Sequence, residues 1–105
     1  TYPPYNVKEK DDLGVIDFAI AGFSDKDLKV EVKENVLNVH GCKEDKDLEE
    51  FSHKGISNRS FTKSFQLHKQ IIVDGAKLKD GMLSIKYHRE IPESEKPRTI
   101  DIKKG

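Results

Sequence analysis

The chain has 105 residues, enough for one domain with its own apolar core and no disulfide staples. Nineteen basic and nineteen acidic residues cancel, so no global field draws in nucleic acid or an anionic membrane. Only 34% of residues are hydrophobic against 36% charged, no apolar run has the length of a signal or membrane segment, and the single cysteine, Cys42, excludes an internal disulfide and suits a reducing, cytoplasmic compartment.

The chain opens on Thr1–Tyr5, where two prolines favour an extended lead-in. Tyr5 and Val7 alternate with Asn6 and Lys8 as in a short edge strand, and the charged run Lys8–Asp12 reads as a turn. Leu13–Ile20 is the next strand, with Ile16, Phe18 and Ile20 on one face and Val15, Asp17 and Ala19 on the other. Ala21-Gly22-Phe23 breaks it. Ser24–Asp27 then predicts a single helical turn opened by a serine cap.

Leu28, Val30 and Val32 alternate with Lys29, Glu31 and Lys33, the cleanest strand pattern in the chain. Glu34-Asn35 makes a turn, and the strand that follows puts Leu37, Val39 and Gly41 on one side. Residues 42–58 have little pattern and are long for a hairpin loop. From the residues alone they read as a solvated loop. The alternative is an arm that orders against a second chain through Leu48, Phe51 and Ile56.

Arg59–Leu67 resumes a strand, with Phe61, Lys63, Phe65 and Leu67 on one face. Ile71-Ile72-Val73 is a short apolar run. After Gly75, Ala76 and Leu78 share a face, Lys79-Asp80-Gly81 supplies a tight turn, and Leu83, Ile85 and Tyr87 alternate with Ser84, Lys86 and His88. A linker containing Pro92 and Pro97 leads to Ile100-Asp101-Ile102, whose two isoleucines lie on the same side of an extended segment. Seven or eight short strands without a useful amphipathic helix predict an all-β, two-sheet antiparallel sandwich of immunoglobulin-like type.

The chemistry of an enzyme has no foothold here. No glycine-rich phosphate loop is present. His40, His53, His68 and His88 are scattered without metal-ligand spacing, and lone histidines on strands are ordinarily surface residues. Cys42 sits among lysines and acids with no activating base in evidence. The carboxylates lie in charge runs, which are usually solvated faces. The sequence therefore predicts no catalytic residue, no metal, no cofactor and no small-molecule substrate.

Several strings taken together carry a resemblance. Ala76–Leu83, AKLKDGML, resembles the Ala-x-x-x-Asn-Gly-Val-Leu signature of the α-crystallin domain of small heat-shock proteins. Ala21–Gly41 is similar to that family's Gly-Phe, Asp-Leu and alternating-valine block. Phe61-x-Lys63-x-Phe65-x-Leu67 resembles its Phe-x-Arg-x-Phe-x-Leu strand. YPPYNV near the start and REIPESEKPRTIDI near the end are similar to bacterial inclusion-body-binding members. Asp80 and Met82 stand where the family has Asn and Val, which keeps a turn and an apolar residue. Lys63 stands at a usual Arg position, keeping charge but not the planar fork.

The resemblance implies an α-crystallin domain over 1–90, with 1–4 as the remnant of an N-terminal arm and 42–58 as a dimerisation loop. A C-terminal extension over 91–105 would carry the Ile-x-Ile motif of Ile100 and Ile102. It implies strand exchange between copies, a segment around Glu49–Lys54 pairing with the partner's first strand near Tyr5–Val7. Tyr5, Val7, Leu48, Phe51, Ile56 and Lys63 become dimer contacts. Ile100 and Ile102 would enter a groove on a neighbouring subunit lined by Leu28, Val30, Val32, Ile71 and Val73, which clients could also use. The implied activity is ATP-independent holdase chaperoning of unfolded or aggregation-prone proteins by a homodimer that builds larger oligomers. No nucleic acid or membrane partner is expected. The rival readings are a monomeric co-chaperone of the CS-domain type, sharing the sandwich, or another β-sandwich interaction module.

Overall fold

The computed structural model describes residues 2–43, 52–53, 59–91 and 96–105. Among them the strands are β1 (Tyr5–Lys10), β2 (Leu13–Ala19), β3 (Leu28–Lys33), β4 (Val36–Gly41), β5 (Phe61–Gln66), β6 (Ile71–Lys79) and β7 (Met82–Arg89), with one 3₁₀ turn at Asp25–Asp27. They form two antiparallel sheets, one ordered β1-β2-β7-β6 and the other β3-β4-β5.

Period-two alternation decides which side of each strand is covered. Ile16 and Phe18 of β2, Leu37 and Val39 of β4, and Leu83, Ile85 and Tyr87 of β7 point between the sheets and are buried. Ile20 and Phe23 complete the core where the chain crosses from one sheet to the other. Nothing buried among the described residues is polar or charged. Each large apolar side chain so covered contributes about 1.5–3 kcal/mol of transfer free energy.

Two-residue turns close the hairpins. Glu34 and Asn35 between β3 and β4 have φ of 51° and 63°, and Asp80 and Gly81 between β6 and β7 have φ of 51° and 77°. Positive φ at both central residues matches the twist of the flanking strands, which is why Asn, Asp and Gly occur there. The β1–β2 connection corrects one expectation. The charged run Lys8–Asp12 is not all turn: β1 continues to Lys10 and reverses at Asp11-Asp12, where Asp11 has φ of 57°. An edge strand with one solvated face tolerates Lys-Glu-Lys, and charge there discourages unwanted pairing.

The Ile71–Val73 run is likewise no separate segment. It opens β6, whose pairing with β7 slips between Val73 and Gly75. A bulge there leaves Asp74 unpaired just before Gly75, adds one residue and reverses the parity beyond it. Ala76 and Leu78 thus rejoin the inner face that Ile71 and Val73 began.

Aromatic rings align the two sheets. The Tyr5 ring of β1 meets Phe65 of β5 edge-on at 5.3 Å, and Phe18 of β2 also contacts Phe65 at 6.0 Å. Strand β5 therefore lies beneath β1 and β2, and the free edges of β3 and β6 emerge together on the opposite side.

Candidate interaction surfaces

The paired edges of β3 and β6 are built by alternation and by one anchor. Ser24 and Asp27 fix the start of β3: the Ser24 N–H donates to the Asp27 carboxylate at 2.8 Å, and the Asp27 N–H donates to the Ser24 carbonyl at 3.0 Å. The Ser24 backbone N–H holds the Asp27 carboxyl below its ordinary range. Ser24 is the N-cap of this turn in a capping box with Asp27, and its hydroxyl also donates to the Asp27 carboxylate at 3.1 Å. The Cys42 N–H donates to the Asp27 carbonyl at 2.9 Å, closing the β4 end onto the same turn.

From this anchor Leu28 and Val30 run inward along β3, half-buried against the core. Ile71, Val73 and Leu78 do the same along β6. Val32 is 49% exposed at the end of the β3 row. The five residues expected to line a groove thus fall on two edge strands that share one side of the sandwich. Leu78 was absent from the expected lining, since simple alternation from Ile71 and Val73 puts it on the outer face. Gly75 inside a strand was the available signal.

At the opposite side lie the residues expected at a dimer contact. All six residues of β1 are exposed, and among the described residues β1 pairs only with β2, leaving its other edge open. Tyr5 and Val7 lie on its inner face, opposite Phe18 and Ile16. The Lys63 ammonium sits over the Tyr5 ring, 5.3 Å from its centroid, a cation–π contact that needs no guanidinium fork. Tyr5, Val7 and Lys63 are therefore brought toward one edge. Leu48, Phe51 and Ile56 lie outside the described residues, as does most of the segment 49–54. Ile100 and Ile102 are 72% and 97% exposed, so this chain's tail does not fill its own groove.

Two further contacts tie the larger sheet. The Tyr87 ring lies across Gly14, where a Cβ would stand 2.1 Å from it, and its hydroxyl donates to Glu9 Oε1 at 2.5 Å. Burial and the Glu9 partner push the Tyr87 phenol from 10.0 up to about 12. At the bulge, His88 Nδ1 lies 2.7 Å from Asp74 and Nε2 3.2 Å from Glu90. Those two carboxylates, Asp74 first, raise the imidazole above its ordinary range. Among the described residues no group of His, Cys, Asp and Glu could hold a metal ion, and no helix is long and apolar enough to cross a membrane.

The family model described as the Hsp20/alpha crystallin family matches residues 6–103. The chain belongs to the Hsp20/alpha-crystallin family. This Hsp20-family chain is 43% identical to the small heat shock protein HspD of Bradyrhizobium diazoefficiens over 102 residues, covering 96% of the chain and 68% of that relative. It is 40% identical to the small heat shock protein IbpA of Serratia proteamaculans over 104 residues, covering 97% and 76%. A C-terminally truncated form of the small heat shock protein AgsA from Salmonella typhimurium superposes with a TM-score of 0.80 at 30% identity, covering 97% of this chain and 100% of that one. A small heat-shock protein of Xylella fastidiosa also gives 0.80, at 22% identity, over 99% and 98% of the two chains, a likeness of fold alone. The sandwich expected from the strand pattern is thus the α-crystallin fold, and a chaperone role follows from the family.

Proposed function

We propose that the chain acts as an ATP-independent holdase, binding partly unfolded proteins and limiting their aggregation. Its working unit is a strand-exchanged homodimer that builds larger oligomers. Residues 1–90 form the domain, with 42–58 as the exchanging loop, and 91–105 form the tether that joins neighbours. The observation that carries this reading is the pair of half-buried apolar rows, Leu28 and Val30 beside Ile71 and Val73, on two free edges, together with an exposed Ile100 and Ile102.

The physics is that of competition for one groove. Moving two isoleucines from water into an apolar groove is worth about 3–6 kcal/mol before ordering costs. Fixing several tail residues takes back much of it, at about 1–2 kcal/mol each for the backbone. A single tail contact is therefore weak and reversible. Many such contacts hold an oligomer together by raising effective concentration. A client segment with alternating apolar residues uses the same groove and the same open edges when a tail leaves. Holding the client lowers the concentration of free unfolded chain, which needs no nucleotide. A reducing compartment, the cytoplasm, fits a chain whose one thiol, Cys42, is exposed.

The test measures mass by light scattering and suppression of client aggregation, for this chain and for Ile100→Ala/Ile102→Ala. The expected result is a species larger than a dimer that falls to the dimer in the variant while client protection changes. Unchanged mass and protection would remove the tail from both roles. A monomer in both would overturn the exchanged dimer and favour the CS-type reading.

A further inference from the structure

The outer faces of the two sheets differ. On the three-stranded sheet the polar groups largely satisfy one another: Lys29 pairs with Glu31 at 3.6 Å, Glu31 with His40 at 3.6 Å, and the Ser64 hydroxyl donates to Asn38 at 2.5 Å. The four-stranded sheet is another matter. Its register places Lys8 and Lys10 of β1, Lys86 of β7, and Lys77 and Lys79 of β6 on the outer face, with Asp17, Asp74 and, through its contact with His88, Glu90 as the acids there. Lys8 reaches Asp17 at 3.8 Å, but Asp17 also accepts from the Ser84 hydroxyl, and Asp74 is taken by His88. Among the described residues Lys10, Lys77, Lys79 and Lys86 have no ion-pair partner. The balancing acids Asp11, Asp12 and Asp80 lie in the turns at the sheet's ends.

The same face also exposes aliphatic side chains. Leu13 is 67%, Ile72 43% and Met82 37% exposed, and the register puts each on the outer side beside a lysine or His88. Between Lys77 and Lys86 a shallow depression of about 230 Å³ opens above Gly75, with Ser84 and Asp74 on its wall. A Cβ at Gly75 would meet nothing within 4 Å, so the space is free.

Lysines and aliphatic side chains on one broad face match an interface where anionic headgroups meet acyl chains. We propose that the outer face of the β1-β2-β7-β6 sheet docks on an anionic lipid bilayer. The lysine ammoniums meet headgroup phosphates, with the depression over Gly75 taking one of them, while Leu13, Ile72 and Met82 press into the headgroup boundary. Nucleic acid fits less well: the face has no Phe, Tyr or Trp for base stacking and no arginine fork for phosphate, and its one aromatic ring, His88, is held by Asp74 and Glu90. Net neutrality of the chain averages this face with the acidic remainder, and a bilayer senses only what lies within a Debye length of it.

The test is flotation of the 105-residue chain with vesicles of phosphatidylcholine alone and with vesicles containing phosphatidylglycerol. The expected result is partitioning only onto the anionic vesicles, weakened by salt. It should fall about 30-fold or more in Lys77→Glu/Lys86→Glu, each lysine contributing roughly a fivefold factor, and be unaffected in Lys29→Glu/Lys33→Glu on the other sheet. Both pairs are exposed, so folding should be unaffected in either variant, and circular dichroism confirms it. Equal loss in both variants would mean that binding follows net charge, and would overturn the proposal. So would an absence of binding to anionic vesicles. Equal binding to a single-stranded oligonucleotide, lost in the same Lys77/Lys86 variant, would reassign the face to polyanions in general.

Discussion

Gly14 is where the larger sheet is most sensitive to a single atom. The Tyr87 ring occupies the place of a side chain there, and its hydroxyl reaches past Gly14 to Glu9. Gly14→Ala must displace a buried ring, and we expect it to destabilise the domain by about 1–3 kcal/mol in urea unfolding. Tyr87→Phe retains the ring and loses the hydrogen bond, for a smaller cost of about 1 kcal/mol. Titration adds a check. The folded phenol is raised from 10.0 to about 12, so its contribution is complete below pH 10 and is lost as pH rises toward 12. Tyr87→Phe should remove that alkaline component of the unfolding midpoint. His88 follows the same sign in a different range. Its folded value is raised by Asp74 and Glu90, so its contribution is complete below pH 6.5 and fades as pH rises through the folded value. In His88→Asn the midpoint should lose that pH dependence, and the imidazole resonances of the parent should titrate above 6.5.

Hairpins set the register on which both surfaces depend. A one-residue slip of β3 would turn Leu28 and Val30 outward and Lys29 inward. The Glu34-Asn35 turn prevents this, yet Glu34 holds a φ of 51° without the help of a glycine. A left-handed conformation costs a side chain about 1–2 kcal/mol. Glu34→Gly should therefore stabilise the domain by about 0.5–1 kcal/mol, after the added entropy of the unfolded chain. Asp80→Val does the reverse, losing about 1–2 kcal/mol and weakening the β6–β7 hairpin. Denaturant midpoints at constant slope would measure both. In β6 the bulge at Gly75 shapes the groove rather than the stability alone. It brings Leu78 into line with Ile71 and Val73, and it opens the depression between Lys77 and Lys86 on the other face.

Among the described residues the sandwich has two pairs of free edges. One pair, β1 and β5, is tied by Tyr5, Phe65 and Lys63. The other, β3 and β6, carries the half-buried aliphatic rows. If the tail of one copy enters this second side on another, Val32→Asp at the exposed end of the row and Ile100→Ala/Ile102→Ala remove the same contact. Combining them should then shrink the oligomer no further than either alone, by light scattering. Additive losses would mean separate roles.

Much of this was legible in the chain itself. Alternation gave every core strand, and the Asp-Gly and Glu-Asn pairs gave the turns, because both signals are local and depend on nearest neighbours in sequence. The family strings added the likeness of fold, since Ala76–Leu83 and Ala21–Gly41 encode a turn and a hairpin together with their spacing. The extent of β1 was hidden, because a solvated edge strand can be as charged as a loop. Leu78 was hidden by a bulge whose parity change only the pairing partner reveals. Which edges lie side by side was hidden too, for it depends on Tyr5 of β1 meeting Phe65 of β5 across the core. So was the basic outer face: net charge is a property of composition, but five lysines gather on one side only when four strands from the two ends of the chain are set in register.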